Sequence, residues 1–295
     1  MSIFKGLSAF AITPCDADGA LLADDLRRVL TRIEAADVQS IGLLGSTGLY
    51  PYLSRETRRQ TVQVARSVIT TNPLIVGVGT LRTDEAVQLA QDAAKEGADA
   101  LLLAPVSYLP LMEDEVFEHF KTVSAATDLP LCIYNNPTTT HFHFSAALLK
   151  RLADVPKIDA VKMPLPANME DVKTLRATLR DDLSIGYSGD WGCPDCTLAG
   201  GEAWYSVIAG YLPHETAILA RAAEQGDADR VAALNAKFAP LWALFKTWGG
   251  MRTVYTAAAL EGFSQVVMPR PLLPLPPHVH DDLKDAFASA RSVTP

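Results

Sequence analysis

One pattern recurs eight times along this chain: a short apolar run, then a stretch with helical spacing. The runs are "LSAFAIT" (7–13), "SIGLLGS" (40–46), "PLIVGVG" (73–79) and "DALLLAP" (99–105). They continue with "PLCIYNN" (130–136), "IDAVKMP" (158–164), "LSIGYSG" (183–189) and "AWYSVIA" (203–209). Most are continuously apolar rather than alternating, as in parallel strands covered on both faces. The intervening stretches read as helices. "ADDLRRVLTRIEAA" (23–36) sets Leu26, Val29, Leu30 and Ile33 on one face. "SRETRRQTVQVARSVI" (54–69) starts at a capping Ser54, with Thr57 rather than a glutamate three residues on. "RTDEAVQLAQDAAKEG" (82–97) closes on Gly97, and "MEDEVFEHFKTVSAAT" (112–127) carries acids in its first turn.

This order predicts an α/β fold, a (β/α)₈ TIM barrel. A doubly wound sheet is the alternative, but no G-x-G-x-x-G follows the first strand. Strand signals stop after residue 210. Helical patterns remain at about 214–225, 228–247 and 250–262, then the Pro-rich "MPRPLLPLPP" (268–277) and a last helix at about 280–290. The expected division is a barrel catalytic domain over 1–225 and a C-terminal helical extension over 226–295.

Composition excludes several function classes. Of 295 residues, 48% are hydrophobic and 20% charged, which suits a globular chain with a large core. The net charge of -8 offers no polybasic surface for nucleic acid or an anionic membrane. No apolar run is long enough to span a bilayer, and "MSIFKGLSAFAITPCDADG" lacks a basic region followed by a long apolar core. The expected location is cytoplasmic. Four cysteines are present. Cys132 lies in a strand-like run and reads as a buried thiol, while Cys193 and Cys196 form a lone C-x-x-C. A zinc site wants a second pair or histidines at ligand spacing, so no metal is expected.

In a barrel the chemistry sits at the C-terminal ends of the strands. The second run ends in Gly45, Ser46, Thr47 and Gly48, two hydroxyls and several N–H groups in a tight turn that can hold a small anion such as a carboxylate. The fifth ends in Tyr134, whose hydroxyl can relay a proton. The sixth carries Lys162 in "DAVKMP", and the seventh leaves Asp190 as a polar group at the mouth. A lysine near a strand end ordinarily snorkels to water or pairs with a carboxylate. The alternative is a nucleophilic amine. Burial disfavours the charged form, and a neutral amine attacks a carbonyl to form a Schiff base. Lys162, Tyr134, Ser46 and Thr47 together suit that chemistry on a 2-keto acid.

The chain resembles the dihydrodipicolinate synthase/N-acetylneuraminate lyase family of class I Schiff-base aldolases. The resemblance runs from "AFAITP" (9–14) to "PRPLLPL" (269–275) and rests on "GSTG" (45–48), "YNNP" (134–137) and "VKMP" (161–164). It implies a barrel with a C-terminal helical domain, assembled as a homo-oligomer, tetramer or dimer. It implies Lys162 as the Schiff-base lysine, Tyr134 as proton relay, and Ser46, Thr47 and Gly48 around the carboxylate, with Thr47 also in the relay. No cofactor beyond the imine is implied. "APVSYLP" (104–110) resembles the segment that lends a tyrosine across a dimer interface, with either Tyr108 matching or Ser107 replacing it. Tyr205 or Ser206 resembles the eighth-strand position whose backbone carbonyl approaches pyruvate.

Departures fall on the second substrate. Leu49 stands where the family turn continues with glutamate. Thr139 stands where the synthases carry the arginine that clamps the second substrate's carboxylate, and threonine cannot form that bidentate pair. Pro164 stands where the neuraminate lyases use a threonine. His141, His143, Trp191, Tyr50 and Tyr52 lie near the mouth and suggest a less polar pocket. The expected function is a class I lyase or aldolase on a small-molecule 2-keto acid with an aldehyde or sugar-acid partner. A sugar-acid dehydratase or a 4-hydroxy-tetrahydrodipicolinate synthase-like enzyme on the same imine is the alternative. A barrel that binds a keto acid without turnover is the alternative from another class.

Overall fold

The computed structural model describes residues 2–294. Eight parallel strands close into one barrel in chain order. They are β1 (Gly6–Phe10), β2 (Ser40–Leu43), β3 (Leu74–Gly77), β4 (Ala100–Leu103), β5 (Leu131–Tyr134), β6 (Ile158–Pro164), β7 (Ser184–Ser188) and β8 (Ala203–Ser206). Register pairs such as Ala9 with Ile41, and Ser8 with Tyr205, close the first strand onto its two neighbours. Each strand lies inside a run expected from the sequence, except that β1 begins one residue earlier, at Gly6.

The helices are α1 (Ala23–Glu34), α2 (Arg55–Val68), α3 (Thr83–Lys95), α4 (Glu113–Ser124), α5 (Pro137–Thr140), α6 (Ala146–Ala153), α7 (Glu170–Thr178) and α8 (Cys193–Leu198). Beyond β8 come α9 (Pro213–Glu224), α10 (Ala228–Trp248), α11 (Gly250–Leu260) and α12 (His280–Arg291). Helix α1 buries Leu26, Val29, Leu30 and Ile33, the face its spacing predicts. The Ser54 side chain accepts from the Thr57 N–H, so the cap works without its glutamate. Gly97 follows α3 at φ +95°, a conformation glycine adopts without a Cβ penalty. Helices α5 to α8 were not singled out in the sequence. α5 and α8 are one turn or little more, and α7 fully buries only Val172, so no long apolar stripe announces them.

Strand parity divides the core in two. On β4, Ala100 and Leu102 face the barrel interior, while Leu101 and Leu103 face the helical ring. Both faces are apolar, which is why these runs do not alternate. The interior holds Phe10, Ile75, Cys132, Tyr134, Ala160, Ala203 and Tyr205 among others. Helices α9 and α12 pack on α10, and the C-terminal helices are tied to the first βα loop. The Tyr255 hydroxyl accepts from the Thr13 N–H at 3.1 Å. Asp25 accepts from the Ser264 hydroxyl at 2.7 Å and the Gln265 N–H at 3.0 Å.

One helical histidine makes stability depend on pH. His119 of α4 is buried, with Nδ1 2.9 Å from the Thr83 hydroxyl and Nε2 without a partner among the described residues. Burial holds its pKa down to about 4, against 6.5 for an ordinary histidine. The native state therefore refuses a proton that the unfolded chain accepts. Stability from this group is complete above pH 6.5 and is lost as pH falls through that window towards 4. Urea unfolding at pH 7 and pH 4.5 will show a larger loss for the wild-type protein than for His119→Leu; equal losses would refute it.

Candidate active site

Lys162 reaches the barrel interior by parity. Ala160 faces inward, Val161 faces the helices, and Lys162 faces inward again. It is only 4% exposed. The sequence left open whether it pairs with a carboxylate or stands as a free amine. Among the described residues it has no salt-bridge partner within 4.0 Å. Its Nζ instead lies 4.0 Å from the Phe10 ring centroid, 4.2 Å from that of Tyr134 and 5.5 Å from that of Tyr205. Two glycines make room for these rings. A Cβ on Gly42 would stand 2.6 Å from the Phe10 ring, and one on Gly186 would stand 2.5 Å from that of Tyr205.

Tyr134 is the register partner of Lys162 across β5 and β6. Its hydroxyl accepts from Asn136 Nδ2 at 2.9 Å and lies 3.3 Å from the Ser46 hydroxyl. With the amide donating to the phenol oxygen, the phenol proton is free to point to Ser46 or into the site. Ser46 belongs to the turn after β2. That turn is built around backbone crowding: a Cβ on Gly48 would stand 2.7 Å from the Leu44 nitrogen, and one on Gly77 would stand 1.8 Å from the Leu44 oxygen. Leu44 and Leu49, on either side of Ser46, Thr47 and Gly48, sit at φ 54° and 60°. Left-handed backbone at two leucines is strained, and buried packing holds it in place. Thr47 is buried in this turn and Ser46 half-buried.

The other expected residues are dispersed. The Tyr205 phenol lies in the barrel interior, 3.6 Å from Cys132 Sγ, so it flanks Lys162 from inside the barrel. Thr139 is exposed on α5, its hydroxyl donating to the Asn136 carbonyl at 3.3 Å. Tyr108 is 92% exposed, and the Ser107 hydroxyl turns back to the Leu109 carbonyl at 2.5 Å. His141 and His143 are both exposed, and Trp191 is half-buried.

Asp190 corrects the sequence reading. Its carboxylate is buried rather than open at the mouth, and internal donors occupy it. It accepts from Trp204 Nε1 at 3.0 Å, the Ser206 hydroxyl at 2.5 Å and the Val207 N–H at 3.2 Å. Burial pushes its pKa up, against the pull of these hydrogen bonds. Its place is to fix the end of β8. The C-x-x-C cysteines are also buried, which pushes the Cys193 thiol up and the Cys196 thiol to about 12; both are poor nucleophiles. Among the described residues, no three His, Cys, Asp or Glu side chains come together in a way that could hold a metal ion.

Two residues beside Lys162 and Tyr134 were not named individually from the sequence as part of the site, Phe10 and Asn136; Arg58, buried on α2 against the Gly77 and Gly79 carbonyls, was not named either. Phe10 had one signal, a glycine inside "SIGLLGS", where a strand gains nothing from lacking a side chain unless another group fills the space.

A closed barrel with a buried, unpaired lysine and a tyrosine at its C-terminal mouth defines a carbon–carbon lyase of the class I, Schiff-base-forming type. Residues 3–290 match the model of the dihydrodipicolinate synthetase family, and the chain belongs to that family. A 4-hydroxy-tetrahydrodipicolinate synthase of Alcanivorax borkumensis is 31% identical, over 91% of this chain and 95% of that one. The crystal structure of a dihydrodipicolinate synthase from Agrobacterium tumefaciens superposes with a TM-score of 0.96 at 51% identity, covering 98% of both chains. A dihydrodipicolinate synthase from Acinetobacter baumannii, solved in complex with pyruvate, superposes with a TM-score of 0.91 at 26% identity, covering 99% of this chain and all of that one.

The Asp190 geometry predicts a fold defect. Asp190→Ala leaves three donors without an acceptor, two of them buried side chains, and will destabilise the protein by about 3 kcal/mol or more in guanidinium unfolding. A variant of unchanged stability with a raised KM would make Asp190 a substrate ligand instead.

Proposed function

We propose that this chain acts on a pyruvate-type 2-keto acid through an imine on Lys162, making or breaking a carbon–carbon bond to an aldehyde partner. The observation that carries this reading is a buried lysine amine with aromatic faces around it and, among the described residues, no carboxylate against it. The neutral amine adds to the keto carbon, and the carbonyl oxygen takes a proton. The resulting carbinolamine loses its hydroxyl as water and leaves an iminium: overall one proton is consumed and one water released. Tyr134, against both the lysine and Ser46, is placed to carry those protons. The Ser46–Thr47–Gly48 turn supplies hydroxyl and N–H donors for the keto acid's carboxylate. The iminium then acts as the electron sink for loss of a proton or a carbon–carbon bond at C3.

The partner differs from that of the synthases. The exposed Thr139 cannot clamp a carboxylate as an arginine does. Pro164, at the end of β6, offers no hydroxyl. These positions favour an aldehyde without a carboxylate at that point.

Assembly follows from the loops after neighbouring strands β3 and β4, which expose Leu81, Tyr108, Leu109 and Met112 at 62%, 92%, 69% and 66%. We propose that this face is covered in a homo-oligomer. Light scattering will give a mass at least twice the 31.8 kDa of the chain, and Leu81→Asp with Leu109→Asp will shift it towards the monomer. A wild-type monomer would refute the interface.

The imine has a direct test. Pyruvate with borohydride will leave a reduced mass adduct that maps to Lys162, and Lys162→Ala will lose both adduct and turnover. Tyr134→Phe will form the adduct about 10² to 10⁴ times more slowly. An adduct on another residue, or turnover in Lys162→Ala, would overturn the proposal.

A further inference from the structure

The "YNNP" segment carries two asparagines, and the fold sends them in different directions. Asn135 turns to the helical side of the barrel, where its Nδ2 donates to Met163 Sδ at 3.5 Å and Met163 packs on the outer cluster. Asn136 turns back towards the strand it follows, and its Nδ2 donates to the Tyr134 hydroxyl at 2.9 Å. The Asn136 side chain is half-buried, and its backbone is pinned. Its carbonyl accepts from the N–H groups of Thr139 and Thr140 at 3.1 and 3.0 Å, and from their hydroxyls at 3.3 and 3.0 Å. Pro137 fixes the next φ. The threonines of α5 therefore brace the amide that meets Tyr134.

Among the described residues the Tyr134 hydroxyl has two partners, Asn136 and Ser46, and they are not equivalent. The Ser46 hydroxyl can donate or accept, so by itself it leaves the direction of the phenol proton open. The amide N–H can only donate. It fills an acceptor position on the phenol oxygen and stays there when the phenol proton leaves. A hydrogen bond to an ionised oxygen is roughly twice as strong as one to a neutral oxygen. The amide therefore grips harder as Tyr134 gives up its proton. An interaction that is stronger in the transition state than in the ground state speeds the step.

We infer that Asn136 is a positioning residue for the proton step at Tyr134: its amide holds the phenol oxygen while the phenol proton moves to the departing hydroxyl of the Lys162 carbinolamine. The inference rests on the imine reading. In that step the C–O bond breaks, and the hydroxyl leaves as water with the Tyr134 proton. The nitrogen lone pair forms the C=N bond of the iminium, and Tyr134 remains as a phenolate under the Asn136 amide. A proton lost from C3 then returns to the phenolate, which leaves an enamine and a neutral phenol.

The test mixes the full chain with pyruvate at pH 7, quenches with borohydride at timed intervals and follows the Lys162 adduct by mass. Asn136→Leu removes the donor and keeps the approximate bulk, whereas Asn136→Asp keeps the shape and presents only acceptors. At saturating pyruvate, imine formation will fall about tenfold in Asn136→Leu. It will fall further in Asn136→Asp, and the half-saturating pyruvate concentration will not change in either. A role in shape alone gives the opposite order, with the isosteric Asn136→Asp nearest the wild type. Both variants will melt near the wild-type temperature, since the side chain is half-buried; if one does not fold, the other decides on the same terms. A wild-type rate in either variant, the opposite order, or an effect on half-saturation alone would overturn the inference while leaving the imine intact. No adduct in the wild-type protein would overturn the imine reading and this inference with it.

Discussion

The site is organised by one unusual burial: an amine enclosed by aromatic rings instead of by counter-charges. A buried ammonium without a partner is costly to desolvate, whereas a neutral amine is much less so. Aromatic faces tolerate both forms, since they are apolar yet attract a cation. Lys162 has Phe10 and Tyr134 within about a van der Waals layer and Tyr205 beyond. Each ring needs space that a parallel barrel does not offer for free. Gly42 and Gly186 provide it, at positions where any Cβ would collide with a ring. The lysine's surroundings are thus distributed over β1, β2, β5, β7 and β8, and closure of the barrel is what brings them together.

The Ser46–Thr47–Gly48 turn depends on the same closure through backbone rather than side chains. Leu44 presses its carbonyl onto Gly77 of β3, and two left-handed leucines bracket the Ser46 hydroxyl and Thr47. Such conformations persist where packing over-determines them. Here both leucines are enclosed in the core, and Thr13 lies against Gly48 while its own N–H is held by Tyr255 of α11. The C-terminal helices are therefore mechanically connected to the mouth of the barrel, although they supply none of the reacting groups.

The architecture was legible because each strand is apolar on both faces and each major helix shows a stripe. Parity was not legible, for the same reason: in "DALLLAP" nothing tells which leucine faces inward. Lys162 and Tyr134 broke that degeneracy, since a polar group on an interior face is conspicuous. Asp190 was conspicuous too but misleading. A carboxylate at a strand end reads equally as a ligand or as an internal acceptor, and only the tertiary positions of Trp204, Ser206 and Val207 decide for the second. Arg58 was invisible because it sits within an amphipathic helix among other arginines, and its burial follows from the carbonyls of Gly77 and Gly79.

This separation has a consequence for specificity. Groups that make the imine sit on interior-facing strand positions, where changing one alters the packing of several. Thr139, by contrast, is exposed on the one-turn helix α5 at the rim. Mutation at the rim therefore costs little stability, while mutation around Lys162 disturbs both chemistry and core. A chain can keep the keto-acid end and exchange the aldehyde end, and the pattern here is of that kind: "GSTG", "YNNP" and "VKMP" intact, with threonine in place of an arginine clamp. Leu49 is the exception that links the two regions. It is an apolar side chain inside the core, next in sequence to Tyr50, whose ring lies 5.7 Å from the Arg58 guanidinium that the Gly77 and Gly79 carbonyls hold.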